Sequence, residues 1–117
     1  IPTSLGQEDH VSMGSISGRK ALQVIDNVEK ILAIELLTAA QAFEFRKPLK
    51  SGVILDAVHQ FIRTKVAFAA EDRVFSDDIE IAVDLIKRHK IITLVENVMK
   101  DKGIAWNTPF EEKFETY

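Results

Sequence analysis

The four consecutive residues Gln7-Glu8-Asp9-His10 hold the densest group of side chains able to do chemistry in this chain. A glutamate can hold a cationic or hydrogen-bond-donating group. It can also move a proton where burial lifts its pKa above about 4.3. Glu, Asp and His are all metal ligands as well, but adjacent residues rarely converge on one ion. No HExxH or EF-hand spacing accompanies them, so no metal site is expected. His59 and His89 stand alone and read as surface or packing histidines. The bland reading of the motif is a polar helix start, with Asp9 as a cap and Glu8 near the positive end of the helix.

Other chemistries fare worse. The chain has no cysteine, which removes thiolate nucleophiles, sulfur-ligated metals and disulfides. The serines lack a G-x-S-x-G elbow, and neither G-x-G-x-x-G nor a phosphate-binding loop occurs. Fifteen basic residues against eighteen acidic ones give a net charge of −3. That balance argues against a nucleic-acid or anionic-membrane surface. The basic run Lys87-Arg88-His89-Lys90 reads as a helix end. Trp106, Phe110, Phe114 and Tyr117 read as a docking face rather than a cofactor box.

The elements that must position these residues are helices. With 46% hydrophobic and 28% charged residues over 117 positions, the chain has a globular composition and the length of a single unit. Residues 1–18 carry Ser12, Gly14, Ser15, Ser17 and Gly18, and read as a loop or weak helix start. From residue 19 to about 46 the pattern is helical. Leu22, Ile25, Leu32, Leu36, Ala39 and Phe43 line one face, while Val24, Val28, Ile31 and Ile34 cover much of a second. A helix apolar on most sides must be buried among others, and a chain this short has too few partners for it. Glu35, Thr38 and Gln41 form a polar stripe, with Glu35 and Gln41 expected as satisfied core groups. Pro48 should stop the element.

Residues 51–103 then read as two or three shorter helices. Ser51 is a candidate cap for a helix from Val53 to about Glu71. Asp77 and Glu80 form a D-x-x-E capping box for the next, whose stripe is Ile79, Ala82, Val83 and Ile86. A further helix from Ile91 to about Lys102 should end on a left-handed Gly103. Thr108-Pro109-Phe110-Glu111 reads as the start of a short helix in a tail over residues 104–117. No run alternates with period two, so the expected fold class is all-α: one long buried helix with three or four shorter ones. No stretch is long and apolar enough to cross a bilayer. The N-terminus has no starting Met and no signal-peptide pattern, which fits processing or a chain cut from something longer.

At Gln7-Glu8-Asp9-His10-Val11-Ser12-Met13-Gly14 the sequence resembles the signature of histidine ammonia-lyases, of the aromatic amino-acid lyase family. The likeness runs through Asn27-Val28-Glu29, Leu32-Ala33-Ile34-Glu35-Leu36-Leu37 and Ala40-Gln41-Ala42. It continues more thinly through Pro48-Leu49-Lys50, Asp72-Arg73-Val74-Phe75, Asp78-Ile79-Glu80 and Ala82-Val83. The resemblance implies a helical-bundle lyase fold, a homotetramer in the cytoplasm, and a polypeptide several times longer than this one. It also implies elimination of ammonia from histidine to give urocanate. The electron sink would be methylidene-imidazolone, formed from the enzyme's own Ala-Ser-Gly. This sequence holds no Ala-Ser-Gly, and its single tyrosine is Tyr117, whereas the family's catalytic tyrosine lies in an N-terminal loop. The chain therefore looks like the C-terminal piece of such an enzyme, inactive alone.

By the same resemblance Glu8 is the catalytic and substrate-binding carboxylate, and Gln7 a second polar contact to substrate or cofactor. No residue of this chain is expected to bind the cofactor covalently or to ligate a metal. Asp9 and His10 read as structural. Relatives acting on phenylalanine or tyrosine tend to carry an amide where Glu8 stands, so histidine is favoured. Gly6 replaces the usual asparagine, which leaves another aromatic amino acid or an aminomutase open. Outside the resemblance, a non-enzymatic helical assembly module is the competing reading.

Overall fold

A computed structural model describes residues 13–105. Four helices follow in order: α1 (Gly14–Glu44), α2 (Val53–Lys65), α3 (Ser76–Lys87) and α4 (Lys90–Lys102), with no strand among the described residues. At 31 residues, α1 is about 46 Å long. It begins five residues before Arg19, the start expected from composition. Ser15, Ser17 and Gly18 are weak helix formers, but extending an existing helix costs less than about 1 kcal/mol for each such residue. At its other end the chain turns through Phe45, Arg46 and Lys47 to Pro48.

α3 packs chiefly along α1, α4 joins α2 to α3, and α2 touches α1 near its C-terminal end. The core is small: Ala33, Ala40, Ile62, Val66, Ala82, Leu85 and Met99. Ala33 and Ala82 are fully buried, and their lack of bulk suits a close α1–α3 approach. The shape is open, spanning 69 × 44 × 21 Å with a radius of gyration of 20.8 Å. A compact chain of this length would have about 13 Å. Residues 14–28 of α1 are all exposed, and Glu29 is the first to gain cover. Leu22, Val24, Ile25, Val28 and Ile31 are open to solvent, as the shortage of partners in so short a chain requires. Glu35, expected in the core, is exposed as well, because it lines an open groove between α1 and the Leu85, Ile86 and Ile92 side of α3 and α4 rather than a closed core.

Several helix ends differ from the sequence reading. α2 stops at Lys65 instead of near Glu71, and Val66 is extended (φ −129°, ψ 117°). Side chains take over the backbone there. Arg63 Nη1 donates to the Val66 carbonyl (3.1 Å), and Arg73 Nη2 to that of Ala67 (2.8 Å). Gln41 Nε2 donates to the Ala69 carbonyl at 2.7 Å, while Ala69 N–H donates back to Gln41 Oε1 at 3.2 Å. These partners make a non-helical segment affordable, which helical spacing alone does not reveal.

Ser51 is not a side-chain cap. Gly52 occupies that position, and Asp56 reaches back to accept from Ser51 N–H (3.0 Å). The Asp77–Glu80 box does not form either, because Asp77 already lies inside a helix that starts at Ser76. Asp77 and Asp78 still suit the positive end of that helix. Of the run 87–90, only Lys87 belongs to α3; His89 is left-handed (φ 54°) and Lys90 opens α4. Gly103 is left-handed as expected (φ 65°), with Ile104 N–H bonded to the Met99 carbonyl (2.8 Å) and Gly103 N–H to that of Lys100 (3.3 Å). That pair of bonds is a Schellman ending.

Candidate functional site

Gln7 and Glu8, with Asp9 and His10, lie outside the described residues, as do Trp106, Phe110, Phe114, Tyr117 and the expected helix start at Thr108. In sequence, three residues separate the first group from α1, whose first turn begins at Gly14. The arm over residues 14–28 thus connects that motif to the packed part of the molecule.

Two charged clusters fix α1 to its neighbours. Near its C-terminal end, Glu44 accepts a hydrogen bond from Arg63 Nε at 2.8 Å and pairs with Lys47 one turn on. His59 Nε2 lies 3.1 Å from the same carboxylate without making a hydrogen bond, and its ring lies tilted against Phe43 with centroids 5.1 Å apart. Hydrogen bonding from Lys47 and Arg63 holds the Glu44 carboxyl down at about 2, against an ordinary 4.5. A carboxylate so strongly ionised is a poor base near neutral pH, and its role is to tie α2 to α1. Nearer the arm, Lys87 Nζ lies 3.1 Å from Glu29 Oε2 and 3.2 Å from Asp26 Oδ1. The Glu29 and Asp26 carboxylates raise the Lys87 pKa above that of an ordinary lysine.

Between α1 and the 66–79 segment runs an open groove of about 690 Å³. Its floor is apolar, from Ile34, Leu37, Phe45, Val66 and Ile79. On its rim, Arg73 and Asp78 neutralise each other through hydrogen bonds of 2.8 and 3.0 Å. The groove offers an apolar surface and a paired rim, which suits helix packing better than bond-making chemistry. No group of three or more His, Cys, Asp or Glu residues able to hold a metal ion occurs among the described residues. None of the described helices is long and apolar enough to cross a membrane.

Sequence reasoning missed the Glu44 and Lys87 clusters. The i, i+4 spacing of His59 and Arg63 was visible on α2, but Glu44 comes from another helix, and Lys87 lies 61 residues from Asp26. Of the expected polar core groups, only Gln41 is in place and satisfied.

Comparison with known proteins places this arrangement. Residues 1–64, more than half of the chain, match the family model of aromatic amino acid lyases. A histidine ammonia-lyase of Pseudoalteromonas atlantica is 51% identical over 96 residues, which cover 82% of this chain and 19% of that protein. One from Caldanaerobacter subterraneus is 49% identical over 104 residues, covering 89% and 20%. The crystal structure of histidine ammonia-lyase from Trypanosoma cruzi superposes with a TM-score of 0.74 at 40% identity, covering 84% of this chain and 19% of that one. The chain thus spans about a fifth of the length of the relatives it matches. Its signature residues, its helical architecture and the family match agree: this chain belongs to the aromatic amino acid lyase family.

Proposed function

We propose that this chain is the C-terminal part of a histidine ammonia-lyase, contributing Glu8 and Gln7 to a pocket whose other walls come from the rest of a longer polypeptide. The observation that carries this reading is the identity to histidine ammonia-lyases, 51% over 96 residues with only 19% of the relative's length covered. In that setting Glu8 holds the amine or imidazole of the substrate, or moves a proton there. Elimination needs such a positioned carboxylate, because the β-proton of an amino acid is only weakly acidic. Gln7 adds a polar contact.

The family's methylidene-imidazolone supplies an electrophile. The residues of this chain do not fit its formation. Ser17-Gly18 follows Ile16 inside α1, where the backbone is committed to helical hydrogen bonds. Ser51-Gly52 follows Lys50, and its Ser51 N–H is bound to Asp56. The group therefore belongs to polypeptide outside this sequence. The longer enzyme is a cytoplasmic homotetramer, in which neighbouring helices cover the exposed apolar side of α1.

The test is turnover by the longer polypeptide, followed as urocanate absorbance. Release of urocanate from histidine by that protein, and none by residues 1–117 alone, is the expected result. Release of cinnamate or coumarate, or of a β-amino acid, with histidine untouched would transfer the assignment to another lyase or an aminomutase. No turnover of any amino acid would favour the helical assembly module.

A further inference from the structure

From Ser76 to Lys102 the sequence contains neither Gly nor Pro, so the usual local causes of a helix break are absent. The helix is nevertheless broken at one place. Arg88 leaves helical geometry (φ −88°, ψ 9°), His89 is left-handed (φ 54°, ψ 26°), and Lys90 opens α4. No other described residue that carries a side chain has a positive φ. The Cβ of His89 disfavours that conformation. His89 N–H donates to the Ile86 carbonyl at 3.0 Å, three residues back instead of four. Helical bonding then resumes at once, since Thr93 donates to the His89 carbonyl through its N–H (3.0 Å) and its Oγ1 (2.9 Å). The backbone angles of Arg88 and His89 are all that separates two helices from one.

Packing explains why the bent form wins. α3 runs antiparallel along α1, with Ile79 in the groove near Phe45 and Lys87 reaching Glu29 and Asp26. A straight continuation would carry residues 90–102 onward past Asp26. The bend instead lays α4 against α2. Ile91, Leu94, Val95, Val98 and Met99 form one stripe of α4 and are half-buried or buried, while Thr93, Glu96 and Asn97 are exposed. The α2–α4 contact lies within this chain and does not depend on what covers α1 in the longer enzyme.

We propose that Arg88 and His89 form a two-state hinge. In the bent state α4 is latched on α2; in the straight state residues 76–102 form one continuous helix and α4 is released. The left-handed conformation of His89 opposes the bend, and burial of the Met99 side of α4 maintains it.

Electron-electron distances test this. The chain has no cysteine, so nitroxide labels at Glu80→Cys and Lys100→Cys, both exposed positions, report the α3–α4 angle cleanly. Labelled chain is diluted with unlabelled chain to suppress intermolecular distances. In one continuous helix the two positions are about 30 Å apart along the axis, and the bend brings them closer. The otherwise unaltered chain should give mainly the short distance. Met99→Ala, which loosens the latch, should add a long component. In that background His89→Gly should lower the long-to-short ratio about tenfold, because glycine alone accepts the left-handed angles freely, and His89→Ala should raise it severalfold. Helical ellipticity should be retained in the Met99→Ala, His89→Ala chain. A short distance alone in that double variant overturns the proposal, as does a ratio indifferent to the residue at position 89. A broad distribution with lost ellipticity also overturns it, since α4 would then melt instead of straightening.

Discussion

Gln41 pairs both atoms of its side-chain amide with the backbone of Ala69, donating at 2.7 Å and accepting at 3.2 Å. A single side chain of α1 thereby replaces the two hydrogen bonds that Ala69 would make in a helix, and the 66–75 segment is held against α1 as one wall of the apolar groove. Gln41→Leu leaves both groups of Ala69 without a partner in a half-buried setting. The expected loss is about 1–3 kcal/mol, seen as a lower urea midpoint. Unchanged stability would mean that water satisfies Ala69 equally well.

The acid limb of the stability profile should depend on Glu44. Its carboxyl titrates at about 2 in the folded chain against 4.5 ordinarily, owing to hydrogen bonds from Lys47 and Arg63. A depressed carboxyl pKa stabilises the fold fully above the unfolded value, and that contribution disappears as pH falls toward the folded value. Wild type should therefore exceed Glu44→Gln in stability at pH 7, with the gap closing between about pH 4.5 and pH 2. Thermal melts across that range check it; a gap constant with pH would contradict the ion-pair account.

Left-handed residues at the two ends of α4 make opposite predictions. His89 adopts φ 54° with a Cβ, whereas Gly103 adopts φ 65° without one. His89→Gly should stabilise by about 0.5–1 kcal/mol, and Gly103→Ala should cost about 1 kcal/mol. Guanidinium denaturation of the two variants measures both signs.

Much of this architecture was legible in the sequence because helices announce themselves by spacing. Leu22, Ile25, Leu32 and Leu36 marked α1; Ile79, Ala82 and Val83 marked α3; and Gly103 marked the end of α4. What escaped depended on partners far apart in the chain. α2 was expected to continue to Glu71, since Val66 and Ala69 keep helical spacing. It ends at Lys65 because Gln41, Arg63 and Arg73 bind the following backbone. The capping box at Asp77 failed by one register step, since Ser76 is already helical. Gln7 and Glu8 were legible as a motif, and their role rests on resemblance alone.

Self-association should follow from the uncovered side of α1. Leu22 is 65% exposed, Ile31 61% and Val24 59%. Burying one such side chain contributes about 1.5–3 kcal/mol, so several together should drive oligomers at micromolar concentration. Light scattering should report a mass above that of one chain, and Val24→Lys with Ile31→Lys should return it to the monomer. A wild-type monomer at high concentration would mean that another part of the chain covers α1.

The central claim concerns one carboxylate, and kcat for histidine in the longer polypeptide carrying Glu8→Gln tests it most directly. The account predicts a fall of at least about tenfold, equivalent to about 1.4 kcal/mol of transition-state stabilisation, with the fold intact by circular dichroism. Undiminished urocanate production by the Glu8→Gln enzyme would contradict it.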